Sequence, residues 1–175
     1  MAKPKLKMKK ICSFVILALV LVSCSEDIKT NDSAVFQGVK DNGLWRGADA
    51  KAVVDPIAET ITIRAVSLTE TMTLTIDIPG TPIDPKNTNT FVTYILGINE
   101  NNMASYTVSN GNVNEAYETG SLMGDGQVVL SEYDGKVVSG TFRFNAENTN
   151  PTTTAAAAVN LQNGVFYKVP IVAAF

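Results

Sequence analysis

Thr60-Ile61-Thr62-Ile63-Arg64-Ala65-Val66-Ser67-Leu68-Thr69-Glu70-Thr71-Met72-Thr73-Leu74-Thr75-Ile76-Asp77-Ile78 sets apolar side chains at every second position on both sides of a short break. Ile61, Ile63 and Ala65 alternate with Thr60, Thr62 and Arg64, and Met72, Leu74, Ile76 and Ile78 alternate with Thr73, Thr75 and Asp77. Successive side chains of an extended chain point to opposite faces, so period two means one face buried and one face wet. No window of about eleven residues carries a helical stripe.

The same pattern recurs outward in both directions. It predicts strands near 35–41, 44–50, 60–68, 71–78, 90–98, 103–109, 112–118, 127–133, 136–145, 157–162 and 165–172. Asn42-Gly43, Asn110-Gly111, Asp134-Gly135 and Asn163-Gly164 each separate two such runs. Pairs of this kind tolerate positive φ at both central positions, which the tight type I′ hairpin requires. Residues 127–133 are therefore expected to pair with 136–145, and 157–162 with 165–172. The stretches 79–89 and 146–154 hold Pro79, Pro82, Pro85 and Pro151 among Asn and Thr, and read as loops. Strands in this number must hide their edges. The expected fold is all-β, an antiparallel meander closed as a β-barrel or a two-sheet β-sandwich.

Before the first strand the chain changes character. Lys3, Lys5, Lys7, Lys9 and Lys10 precede an apolar run from Ile11 to Val22, broken only by Ser13. As a helix that run spans about 18 Å, short of the roughly 30 Å hydrocarbon core of a bilayer. A basic stretch, a short apolar stretch and small residues read as a secretory signal rather than a membrane span. Leu21-Val22-Ser23-Cys24 resembles the lipobox of bacterial lipoproteins. That resemblance implies a thioether-linked diacylglycerol on Cys24, cleavage before it and acylation of the new amino terminus. Two or three acyl chains would hold the protein on a membrane. Residues 1–23 are thus expected to be a lipoprotein signal peptide, 24–33 a polar tether and 34–175 a single all-β domain. Ser25-Glu26-Asp27 resembles the acidic tag of surface lipoproteins in Bacteroidota. The expected location is the outer membrane, on the cell surface in preference to the periplasmic face.

Composition excludes much chemistry. The chain has no histidine, which removes histidine-based catalysis and histidine metal sites. Cys12 lies in the signal segment and Cys24 is expected to be capped by lipid, so no thiol nucleophile or disulfide remains. Fourteen basic residues less the five of the leader leave nine, against seventeen acidic, for a net charge of −8. That balance argues against nucleic acid. No glycine-rich phosphate loop occurs, so nucleotides are not expected either.

Three C-terminal segments carry a second resemblance. They are Gly126-Gln127-Val128-Val129-Leu130-Ser131-Glu132-Tyr133-Asp134, Val138-Ser139-Gly140-Thr141-Phe142-Arg143-Phe144-Asn145-Ala146 and Asn163-Gly164-Val165-Phe166. Together they resemble the DUF6252-like group of small Bacteroidota lipoproteins. The resemblance implies an all-β domain and brings no catalytic residues with it.

Candidate sites are correspondingly few. Glu132 with Asp134, or Glu115 with Glu118, has the proximity a glycosidase needs of two carboxyls. Asp134 is better explained as the first residue of its turn, and Glu132 as a solvated strand residue. Asn99–Asn102, Asn110–Glu118 and Asp125-Gly126 offer oxygen ligands for calcium, but none has EF-hand spacing. No metal and no cofactor is expected. Trp45 in Asn42-Gly43-Leu44-Trp45-Arg46 has two readings. Exposed, it stacks on a sugar, with Tyr94, Tyr106 or Tyr117 extending the platform. Buried, it packs in the core with its N–H on a backbone carbonyl; the burial statistics of tryptophan favour the second. The leading expectation is a non-catalytic binding module for a glycan, a peptide or a partner protein, tethered by lipid. The alternatives are a structural or adhesive envelope protein and, last, a carboxylate- or metal-dependent hydrolase.

Overall fold

The computed structural model describes residues 34–109, 111, 114–150 and 155–172. The lipobox, Cys24 and the tether lie outside the described residues. Ten strands follow in order: β1 (Val35–Lys40), β2 (Gly43–Asp55), β3 (Thr60–Ser67), β4 (Glu70–Asp77), β5 (Val92–Leu96), β6 (Met103–Ser109), β7 (Asn114–Glu118), β8 (Asp125–Tyr133), β9 (Val137–Asn148) and β10 (Ala158–Val172). Among the described residues there is no α-helix, only one 3-10 turn at Thr88–Thr90. The protein is all-β.

Period two does what it predicts in β3 and β4. Ile61, Ile63, Ala65, Met72, Leu74 and Ile76 are all fully buried, while Arg64 is exposed. Thr62 and Thr75 pair on the wet face, their hydroxyls 3.4 Å apart. Facing them inside are Phe36, Trp45, Phe142, Phe144 and Phe166, whose rings contact one another at centroid separations of 5.1 to 6.4 Å. Every core residue falls within one compact unit, Asp32–Phe175. That unit therefore contains the packing that folds it.

The ten strands form one sheet in the order β1-β10-β2-β3-β4-β6-β7-β9-β8-β5. Further pairings of β1 with β2 and of β9 with β10 close a circuit, β2-β3-β4-β6-β7-β9-β10-β1-β2. The expected simple meander holds for β1 to β4, β6 to β7 and β8 to β10. It is broken where β4 pairs with β6 and β7 with β9, where β5 pairs with β8 rather than with its sequence neighbours, and where β10 meets β2 in parallel at Ile171 and Val172.

The turns show how far a dipeptide signal carries. The β1–β2 hairpin forms, but its two loop residues are Asp41 and Asn42, both at positive φ (47° and 69°), and Gly43 opens β2 opposite Lys40. The Asp134-Gly135 hairpin forms, but only Gly135 of the pair is at positive φ (80°), so the turn is not type I′; Asp134 Oδ1 accepts the N–H groups of Lys136 and Val137 at 2.8 Å. Asn163-Gly164 makes no hairpin. Residues 158–162 and 165–172 belong to one fifteen-residue strand, β10, and both halves pair with β9. Asn163 is at φ 50°, but Gly164 is not at positive φ, so the chain bulges and continues instead of reversing.

Candidate binding site

The four aromatic residues singled out above are buried. Trp45 is 4% exposed, Tyr94 8%, Tyr106 1% and Tyr117 2%, so none offers a ring face to a sugar and the surface platform does not exist. Trp45 points inward from β2 and its ring lies over Gly47, where an added Cβ would stand 2.8 Å from the indole. Its N–H finds no acceptor, contrary to the expected backbone carbonyl. It lies toward Glu70 closely enough to help lower that carboxyl's pKa, without reaching hydrogen-bond geometry.

Glu70 sits where burial alone would push its carboxyl up. Hydrogen bonds from Tyr106 and Lys40, with the lysine's charge, outweigh burial and hold it below the usual range. Lys40 Nζ lies 3.1 Å from Glu70 Oε1 and 2.7 Å from the Tyr106 hydroxyl. The ammonium also stands 4.7 Å from the centroid of the Tyr106 ring. Tyr106 packs on Tyr117, centroids 6.0 Å apart, and Tyr117 donates to Glu115 Oε2 at 2.7 Å. Burial and the Glu70 charge drive the Tyr106 hydroxyl well above its ordinary pKa. Tyr94 is not part of this group; burial and the Asp77 charge push it up to about 12. The interior cluster joins β1, β4, β6 and β7, and every charge in it has a partner. It holds the fold together and presents no reactive group.

The open ground is on the outer face, at the β10 bulge. Leu161 pairs with Phe144 and Gly164 with Phe142, so β10 spends one residue more than β9 across the same interval. On the other side Gln37 pairs with Val165 and Val39 with Gln162, which leaves the same surplus against β1. Two glycines make room for it. A Cβ on Gly164 would stand 2.5 Å from the Phe142 ring, and one on Gly38 would stand 3.3 Å from Gly164 Cα. The displaced backbone opens a hollow of about 390 Å³ lined by Phe142, Gly164, Gln127, Arg143 and Gln162. A second hollow of about 270 Å³ continues from Gln127, Arg143 and Gln162 to Asp125 and Asn145 and reaches Ile95 and Leu96 of β5.

The walls are planar amides and a guanidinium. Arg143 Nη2 donates to Gln127 Oε1 at 3.1 Å, which orients both side chains along the sheet. Asn145 Nδ2 donates to Asp125 Oδ1 at 2.9 Å, and Asn160 Nδ2 donates to Asn145 Oδ1. Arg143 keeps further N–H donors, and among the described residues the carboxamides of Gln162 and Asn163 make no side-chain hydrogen bond. Donors and acceptors thus stand side by side around the displaced backbone, groups able to hydrogen-bond a polar ligand.

The carboxylates have structural employment. Glu132 Oε2 accepts the Ser139 hydroxyl, and Asp134 caps its turn, where the Val137 and Lys136 N–H groups lower its pKa. Asn99 Oδ1 accepts the Asn101 and Asn102 N–H groups, and Asn102 is spent on Asp77. Among the described residues no three acidic groups gather to hold a metal. A family model described as a domain of unknown function, DUF6252, matches residues 32–170. The chain belongs to this family. No curated protein and no solved structure matches the chain. In this DUF6252 domain all but one of the residues lining the first hollow fall within the three segments quoted for the resemblance: Gln127 in the first, Thr141, Phe142 and Arg143 in the second, Asn163, Gly164 and Val165 in the third. Gln162 is the exception. In the sequence those segments offer only Glu132 and Asp134 as candidate chemistry, while their amides and Arg143 read as fold.

Proposed function

We propose that this DUF6252 domain is a non-catalytic glycan-binding module held at a membrane by lipid on Cys24. One observation carries the choice of ligand: the bulge hollow sets the side chains of Gln127, Arg143, Gln162 and Asn163 around the displaced β10 backbone at Gly164. Neighbouring hydroxyls of a sugar ring each need a donor and an acceptor at short spacing, and side-chain amides and guanidinium groups supply them in a plane. The single charge in the first hollow is positive, so neutral and carboxylated sugars are both admitted. The hollow is shallow, which suits a short stretch of a polymer more than an engulfed small molecule.

The closed circuit of strand pairings reads as a barrel, a rigid support for a site on its wall. The lipobox at Leu21-Val22-Ser23-Cys24 supports attachment to the outer membrane, with the acidic Ser25-Glu26-Asp27 favouring the cell surface. The engaged states of Glu132, Asp134 and Glu115 support a role without catalysis. A panel of neutral and acidic oligosaccharides, screened against residues 25–175 by array and confirmed by calorimetry, tests the reading. Binding of at least one glycan, weakened about tenfold or more by Arg143→Ala, is expected. An absence of binding across the panel, or binding indifferent to Arg143, refutes it.

A further inference from the structure

Nine of the ten described strands have a neighbour on both sides; β5 pairs with β8 alone. An unpaired edge exposes a row of N–H and C=O groups to any extended chain that can reach it, and proteins usually guard such edges with Lys, Pro or a bulge. This edge reads Val92-Thr93-Tyr94-Ile95-Leu96 and has none of these. From Phe91 to Asn99 there is no charged residue at all. Its shortness is its one protection.

The apolar surface around it is concentrated. Ile95 is 47% exposed on the strand itself, Ile98 is 67% exposed just beyond it, and Leu122 is 98% exposed. The Leu122 N–H donates to Gly97 O at 3.3 Å, which fixes that side chain at the end of β5. Leu44 stands at the start of β2, and Ile57 and Leu68 in two different turns, so no comparable group forms there.

We propose that β5 docks a second copy of this chain, the two β5 strands pairing antiparallel about a two-fold axis at Tyr94. Antiparallel self-pairing is isologous, so each side chain meets its own chemistry reflected through the centre. Val92 then faces Leu96 and Thr93 faces Ile95, with no charge opposite any other. That neutrality selects a second copy: two molecules of net charge −8 repel over most of their surface, and this charge-free stretch is where they can approach. A five-residue strand with three flanking apolar side chains falls short of the roughly 800 Å² per partner of a standard interface, so the dimer is weak and reversible.

Sedimentation equilibrium of residues 25–175, which contain the whole core and no cysteine, from micromolar to millimolar concentration tests the proposal. A monomer–dimer equilibrium is expected, weakened at least about tenfold by Ile95→Lys and by Leu122→Lys, which place charge at the edge. Leu68→Lys, a charge at the distant β3–β4 turn, is expected to dimerise as the wild type does. Far-UV circular dichroism identical to the wild type certifies each variant's fold, and Leu122→Lys lies outside β5, where it does not disturb the β5–β8 pairing. A chain that stays monomeric at millimolar concentration overturns the proposal, as does a dimer indifferent to both edge substitutions. Ile95 and Arg143 both line the second hollow, so Leu122→Lys, at a residue that lines neither hollow, separates the two readings: it is expected to lose dimerisation and keep glycan binding, and Arg143→Ala the reverse.

Discussion

Tyr106 shows what one buried hydroxyl does in this protein. Its oxygen is shared with the Lys40 ammonium at 2.7 Å and helps hold the Glu70 carboxylate, so that a charge pair at the edge of the core is hydrogen-bonded. Tyr106→Phe removes the hydroxyl and keeps the ring. It is expected to cost about 1–2 kcal/mol, read as a lowered urea midpoint at neutral pH with unchanged slope. The tyrosines also set the alkaline limit of stability. Tyr94 is pushed up to about 12 by burial first and the Asp77 charge second, while an unfolded tyrosine ionises near its ordinary value of 10.0. A raised acid pKa in the folded state means full stability below the unfolded value and loss as pH rises toward the folded one. Melting temperature is therefore expected to hold up to about pH 10 and fall steeply between about 10 and 12, with a shallower fall in Tyr94→Phe. Trp45 adds a cheap check: at 4% exposure its fluorescence is expected to be blue-shifted and poorly quenched by acrylamide, whereas red-shifted emission would place the ring at the surface.

The β10 bulge is the element on which the site depends, and deleting its surplus residue isolates it. Without Asn163, Gln162 falls opposite Arg143 and Gly164 stays opposite Phe142, so both faces of the strand keep their sides. The deletion is expected to fold with little change in melting temperature and to bind no glycan. Gly164→Ala is different, because its Cβ would meet the Phe142 ring at 2.5 Å; a loss of about 1–3 kcal/mol in chemical unfolding is expected. This element was half legible in the sequence. The alternation of Leu161, Val165 and their neighbours announced extended chain, and Asn163-Gly164 announced a break in it. Whether a break reverses the chain or only dents it depends on what lies alongside, here β9 and β1, and nothing local encodes that. β5 is the same lesson from the other side: its residues read as a strand, but its partner β8 lies some thirty residues on in the chain, past β6 and β7. The aromatic residues misled because a large ring is conspicuous in a sequence, whether it stacks on a ligand or fills a core. Gln127, Arg143 and Gln162 were inconspicuous until pairing register put them together.

At the scale of the molecule, a circuit of strands encloses aromatic side chains packed ring against ring, and the proposed site lies on its outer wall. The core is mostly apolar; Lys40, Glu70 and Tyr106 satisfy one another at its edge, and the buried Thr119 and Ser139 hydroxyls are hydrogen-bonded. The outer face carries two adjoining hollows over β8, β9 and β10, and a third of about 350 Å³ lies apart from them between β2 and β10, at Asp49 to Lys51, Pro170 and Val172. This separation allows the proposed site to be told from its rival. Amide chemical-shift mapping of residues 25–175, titrated with whichever oligosaccharide binds, is the direct measurement. Shifts confined to Gln127, Thr141 to Arg143 and Gln162 to Val165 are predicted; shifts centred on Asp49 to Lys51 and Val172, or spread without focus, would contradict a site built by the bulge.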